Sequence, residues 1–228
     1  MPIYTPIFID TFQRANESPL NPANWTADSE FPTDTLQIVS HQCEAVNATD
    51  LFGAEQYTGL SLPNDQYVEI TVGLFGGAQS ALFALGRSAG TYDDSYLARV
   101  TSGGSLVLLK SIGGSETTLG TATGPAIQAG DVLRLEMFGS TISLLYNGVS
   151  KISVTDTART SGHSGLAVSP NATITDTSVT RFETGSITIP SSGSGLESTI
   201  VAPGPNFAAR ITSPRTTVIG TNLGTKIL

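Results

Sequence analysis

Cysteine occurs once in the 228 residues, at Cys43, which excludes an internal disulfide and any metal site built from a cysteine cluster. It lies in the alternating run LQIVSHQCEAV, where a thiol serves as a small buried hydrophobe. Charge is sparse and one-sided: 13% of residues are charged, with 11 Lys plus Arg against 19 Asp plus Glu. The net charge of -8 argues against non-specific binding of nucleic acid or anionic membrane. No apolar run approaches the roughly 20 residues of a membrane span. The opening MPIYTPIFID has neither the basic flank nor the unbroken apolar core of a signal peptide, so synthesis in the cytoplasm without a cleaved leader is expected. A helical apolar stripe is nowhere sustained over about 11 residues. His41 and His163 have no ligand spacing, and no Ser or Cys sits in a nucleophile motif. No cofactor is expected.

What the chain has instead is glycine, 24 residues, proline, 12 residues, and many Thr, Ser and Val, the makings of short strands joined by tight turns. The stretch 130–156 shows this most plainly. Leu133, Leu135 and Met137 alternate with Arg134 and Glu136, then Ile142 and Leu144 alternate with Ser143, as in strands with one buried face. Gly139-Ser140 reads as a type II′ hairpin loop that places Met137 opposite Ile142 and Leu135 opposite Leu144. At the next turn a two-residue Asn147-Gly148 loop would put Lys151 opposite Leu144. A three-residue loop with Gly148 as a bulge is therefore expected, pairing Leu144 with Ser150 and Ile142 with Ile152.

Further strands are expected at 7–12, 36–46, 57–62, 67–75, 81–87, 96–101, 105–111, 117–122, 161–169 and 178–185, about a dozen in all, an antiparallel number suited to two packed sheets. Trp25, the single tryptophan, is expected to anchor the core near the first strand rather than serve as a sugar platform. The sandwich is assigned to residues 1–185 and a linker with an extended arm to 186–228. Residues 1–185 hold 18 acidic and 8 basic residues; the remainder holds Glu197 against Arg210, Arg215 and Lys226.

The opening DTFQRANESPLNPANW, the phrase GDVLRLEMFGSTISLLYNG and the late pair SGHSGLAVS and SVTRFETG resemble, in order, the landmarks of concanavalin A-like lectin/glucanase jelly rolls. That resemblance covers about residues 7–185 and implies an all-β antiparallel jelly-roll sandwich. The D-x-F-x-R-A-N variant also resembles modules attached to bacteriophage heads and tails. By itself that variant says nothing of activity; with the missing carboxylate motif described below, the expectation is a non-enzymatic surface module of a virion, in capsid decoration or tail association, with other particle subunits as partners. A free carbohydrate-binding protein and a glycoside hydrolase are the alternatives.

The acidic string of the glucanases is absent. Glu69 and Glu136 stand alone on their strands, and an acid pair formed between strands stays open. The metal-holding pattern of legume-type lectins is absent too. Any glycan site, on a cell-surface ligand for instance, is expected around Tyr92, Asp93, Asp94 and Tyr96, where tyrosines stack on sugar and carboxylates meet hydroxyls or one cation, with Arg87 and Arg99 on the flanking strands. A solvated loop tip explains the two aspartates equally well. Beyond the linker, Arg210, Ile211, Arg215, Val218, Ile219, Leu223 and Lys226 are too apolar and too basic for a purely solvated tail. They are expected to engage another subunit or a second copy by strand addition, with a cis arrangement left open. The four N-x-S/T sequons, at Asn16, Asn24, Asn47 and Asn171, are read as unmodified.

Overall fold

The computed structural model describes residues 1–190 apart from 48, 78 and 102. The alternating patterns form fifteen strands: β1 (Ile3–Asp10), β2 (Trp25–Ala27), β3 (Leu36–Val39), β4 (Gln42–Ala45), β5 (Gly53–Tyr57), β6 (Gln66–Val72), β7 (Ala81–Ser88), β8 (Ser95–Thr101), β9 (Ser105–Ile112), β10 (Ser115–Thr123), β11 (Val132–Phe138), β12 (Thr141–Tyr146), β13 (Val149–Thr155), β14 (His163–Ser169) and β15 (Val179–Thr188). An eight-stranded sheet runs β13-β12-β11-β6-β15-β4-β3, with β1 also on β15; a seven-stranded sheet runs β10-β9-β8-β7-β14-β5-β2. Every pairing is antiparallel. The architecture is the expected jelly-roll sandwich.

The core lies between the sheets because each strand sends alternate side chains inward. Leu133, Leu135 and Met137 from β11 meet Ile142 and Leu144 from β12, Leu82 and Ala84 from β7, and Leu106 and Leu108 from β9, all buried. Near the first strand, Trp25 is 1% exposed and packs edge-on to Phe182 at 4.8 Å, with Phe8 stacked on Tyr57 at 4.3 Å. Trp25 is a core anchor, as its position in the sequence suggested.

The two turns of the central block behave differently. Phe138 pairs with Thr141, Met137 with Ile142 and Leu135 with Leu144, the register expected, and Gly139 takes φ +55°. At the second turn, Tyr146 pairs with Val149, so the loop is Asn147-Gly148, both at positive φ. The expected three-residue loop does not form. The register instead slips beyond the turn, between Leu144 and Leu145, so that Leu144 meets Ile152 and Ile142 meets Val154. A bulge within β13 keeps Lys151 off the apolar face while the tight turn keeps the twist that a two-residue loop favours.

Other strand expectations change too: the one at 7–12 runs instead over Ile3–Asp10 as β1. The run 36–46 is a hairpin, β3 and β4, whose turn residues Ser40 and His41 both have positive φ. The strand expected at 57–62 lies earlier, as β5, and ends where that one was expected to begin. β15 continues to Thr188, where it pairs with Ile3, three residues past 185. The arm residues Arg210, Ile211, Arg215, Val218, Ile219, Leu223 and Lys226 lie outside the described residues.

Candidate functional site

Between β7 and β8 the chain makes one 3-10 turn, Tyr92–Asp94, whose N-cap Thr91 accepts a hydrogen bond from the Asp93 amide. This is where the tyrosine-aspartate site was expected, and the side chains turn inward. Tyr92 is 9% exposed and packs edge-on to Phe83 at 5.5 Å and Phe52 at 5.6 Å. Its hydroxyl donates to Glu116 at 2.9 Å; burial, then that carboxylate, push the phenol well above its ordinary value. Tyr96 is completely buried on the other side of the sheet. It donates to Asp156 at 2.6 Å, and burial with this bond pushes its phenol up to about 12. Tyr96 has no face left for a sugar, and Tyr92 has almost none, so the expected stacking platform is corrected.

Arg87 is equally committed. It is 1% exposed, and its guanidinium donates to three backbone carbonyls, Asn64 at 3.0 Å, Arg159 at 3.1 Å and Gly139 at 2.8 Å. It ties three loops together. Asp94 accepts from Arg159 at 2.8 Å. Asp93 remains half-buried, its carboxyl raised by burial and then by Glu30, with Asp28 and Glu116 adding to the effect. Arg99 stands half-buried with its Nε lacking a partner among the described residues. Tyr92, Asp93 and Arg99 thus share one side of the seven-stranded sheet, while Tyr96 faces the other. The sequence held the signal for that split: positions 96 and 99 differ by an odd number, and a strand places such residues on opposite faces.

The outer face of the seven-stranded sheet carries its own apolar layer, in which Phe83, Leu85, Leu97, Val107 and Leu109 are buried together with Tyr92, and Phe31 and Phe52 pack against them. An open cleft over the tyrosines is excluded by this filling. Among the described residues, no group of three His, Cys, Asp or Glu is placed to hold a metal ion.

Carboxylates do converge on the outer face of the eight-stranded sheet. Register places Arg134 opposite Glu69 and Glu136 opposite Tyr67, and Glu183 opposite Glu69 on the far side. Arg134 pairs with Glu69 Oε2 at 2.5 Å and with Glu136 at 3.5 Å; Arg181 pairs with Glu69 Oε1 at 3.1 Å and also with Glu183. Tyr67 donates to Glu183 at 2.5 Å. The Arg134 guanidinium sits 4.8 Å from the Tyr4 ring and 5.0 Å from the Tyr67 ring. Both oxygens of Glu69 are therefore held by arginines, and the Tyr67 hydroxyl and Arg181 occupy the two oxygens of Glu183. General acid/base hydrolysis needs one carboxyl group free to protonate a leaving group and a second free to attack or activate water. Glu69 and Glu183 are committed in this lattice, which ties strands together, while Glu136 Oε1 has no hydrogen-bond partner among the described residues. The sequence leaves an approach of Glu69 and Glu136 between strands open, whereas the joining of Glu183, Arg134 and Arg181 is illegible there because cross-strand register is not written in any one strand.

Shallow depressions gather around β1, β3 and β4. One of about 250 Å³ lies between β1 and the following loop, lined by Phe8, Ile9, Asp10, Arg14, Asn21 and Asn24. Another of about 280 Å³ lies beside β3 near Asn16, Glu17 and Gln37, and a third of about 200 Å³ near Glu44 and Leu74. The first is shaped by the D-T-F-Q-R motif. Asp10 Oδ2 accepts from the Trp25 indole at 3.1 Å, and Oδ1 accepts from the Phe12 amide at 2.8 Å and from Arg14 at 2.6 Å. Arg14 reaches on to Glu17 at 2.5 Å. A buried carboxylate with four hydrogen-bonding sites can organise a loop in this way.

Neither a protein-family model nor a curated protein matches the chain. Solved structures do. The carbohydrate binding module CBM66 from Bacillus subtilis aligns with a TM-score of 0.55 and 17% identity, over 72% of this chain and 93% of that one. The fold is like that of lectin and glucanase structures. The potassium-bound carbohydrate recognition domain of Emp46p gives 0.58 at 10% identity, over 79% and 96%. The endo-beta-1,3-glucanase from Pyrococcus furiosus gives 0.54 at 15% identity, over 81% and 95%. At such identities the likeness is one of fold alone, and the site must be argued from this chain's side chains.

Proposed function

We propose that the sandwich is a non-enzymatic, lectin-type module that recognises carbohydrate and is carried by a larger assembly. The observation that carries the non-enzymatic part is the pairing of Glu69 with both Arg134 and Arg181, which occupies the acid best placed to act together with Glu136 or Glu183. Carbohydrate as the ligand class is supported by fold neighbours whose names mark them as a carbohydrate binding module and a carbohydrate recognition domain. A virion as the assembly rests on the resemblance of the D-x-F-x-R-A-N opening to phage modules. Attachment falls to the arm beyond 190, whose Arg210, Arg215 and Lys226 suit an acidic neighbour. The glucanase neighbour motivates the direct test. Purified full chain incubated with β-glucans and bacterial surface polysaccharides is expected to bind saturably and release no reducing ends. Turnover abolished by Glu69→Gln or Glu136→Gln would replace this reading with a hydrolase.

A further inference from the structure

The depression between β1 and the loop that follows it combines unused hydrogen-bonding groups with an apolar floor. The Asn24 carboxamide makes no hydrogen bond among the described residues, while its backbone is fixed: its amide donates to Asn21 O at 3.1 Å and its carbonyl accepts from Thr58 at 2.9 Å. Asn21 uses its Oδ1 on the Ala23 amide at 3.0 Å, which leaves its NH2 group to solvent. The loop thus offers the two amide NH2 groups of Asn21 and Asn24, while the Asn24 oxygen lies against Gly59. Beneath them lies β1, with Phe8 half-buried and stacked on Tyr57 and Ile9, 45% exposed, on the opposite face of the strand.

The geometry points to this depression as the seat of one uncharged sugar residue, an inference that rests on the carbohydrate-binding reading above. Amide NH2 groups donate to ring hydroxyls, while the C–H face of the ring covers the exposed edge of Phe8. Size sets the number of rings. About 250 Å³ falls short of the roughly 300 to 1,000 Å³ of pockets that enclose a drug-sized ligand, so a single terminal ring enters and the rest of the glycan leaves into water. Charge sets the class. The lining holds one carboxylate, Asp10, and one guanidinium, Arg14, which is already spent on Asp10 and on Glu17 beyond the depression. An anionic sugar would meet repulsion with no free cation to answer it.

The test titrates the full chain with methyl glycosides of glucose, galactose, mannose, fructose and N-acetylglucosamine, and with methyl glucuronide and a methyl sialoside, following backbone amide shifts by NMR. At least one neutral glycoside is expected to move the amides of Ile9, Asn21 and Asn24, with Asn24→Ala weakening it about five- to tenfold, the effect of losing one good hydrogen-bonding group, at an unchanged melting temperature. Neutral sugar bound elsewhere, with affinity untouched by Asn24→Ala, overturns this site and leaves the lectin reading standing. Tighter binding of the glucuronide or sialoside overturns the ligand class. If no polysaccharide or glycoside binds anywhere, the lectin reading fails and this site with it.

Discussion

Glu55 sits in the middle of β5 with 1% exposure, facing the core beside Leu36, whose amide donates to it at 3.0 Å. None of the ion pairs among the described residues includes it. Burial pushes its carboxyl up to about 7, against the opposing pull of the Leu36 and Leu20 amides. A carboxyl raised in the folded state favours folding most when protonated. Its contribution is therefore intact below the unfolded value near 4.5 and is lost as pH climbs towards 7, by roughly 3 kcal/mol from the size of the shift. Glu55→Gln keeps an acceptor for the Leu36 amide and cannot ionise. Its stability relative to the parent chain should be near zero at pH 4.5 and rise to a few kcal/mol by pH 8 in urea melts. A difference that is flat with pH would show that Glu55 finds a counter-charge or water on ionising. This residue was illegible in the sequence for the reason that makes it interesting: GAEQY has one aromatic and two polar side chains, yet all five residues are buried, so no apolar alternation announced a strand.

At the scale of elements, legibility follows the strength of the alternation. β11 and β12 carry Leu133, Leu135, Met137, Ile142 and Leu144 on one face, and their register was readable to the residue. β3 and β4 were read as one strand because their turn, Ser40-His41, lacks the Gly or Asn that marks positive φ. The β12–β13 hairpin has such a marker, Asn147-Gly148, yet the marker alone does not fix its loop length. Pattern alone shows that a residue must be dropped from the register; it does not show whether the turn or the strand drops it. The tight turn has support of its own: Asn147 accepts from the Val132 amide at 2.7 Å and donates to Asp131 at 2.9 Å, and Tyr146 also donates to Asp131. Gly148 takes φ +75°, and a Cβ there would meet nothing within 4 Å. Gly148→Ala should therefore cost only the left-handed conformation, about 1 to 2 kcal/mol, with no change in the packing of Leu144 on Ile152. A loss well above that range in a denaturant melt, or altered cross-strand contacts by NMR, would mean that the turn had rebuilt as the longer loop. The candidate sugar depression is less legible in the sequence than the hairpins. It is made by a loop folding back on β1, and the Asp10, Arg14 and Trp25 contacts that fix the loop join residues with no periodic relation.

For the whole molecule, the question is what the last 38 residues add to a body that already encloses its core. Every buried hydrophobic residue of the described chain falls at or before Ile187, and β15 needs its final residues: Ile187 is 4% exposed and pairs with Tyr4. A cut at 184 would strip that pairing, whereas a cut after Pro190 leaves both sheets whole. The charge balance motivates the proposal that the tail takes part in association. Residues 1–185 hold 18 acids against 8 bases, so bodies alone repel, while Arg210, Arg215 and Lys226 against the lone Glu197 supply attraction to an acidic neighbour. Ile211, Val218, Ile219 and Leu223 give the same segment apolar surface to bury there. A chain ending at Pro190 should melt within about 2 °C of the full chain, a difference under roughly 1 kcal/mol for a body of this size. It should sediment as a monomer at concentrations where the full chain associates. Association of the full chain should weaken as salt is raised, since exposed charges are screened beyond a Debye length. Equal association of the two chains, or a full chain that stays monomeric at low salt and fails to bind an acidic partner surface, would remove the arm from the account and leave the sandwich to make its own attachments.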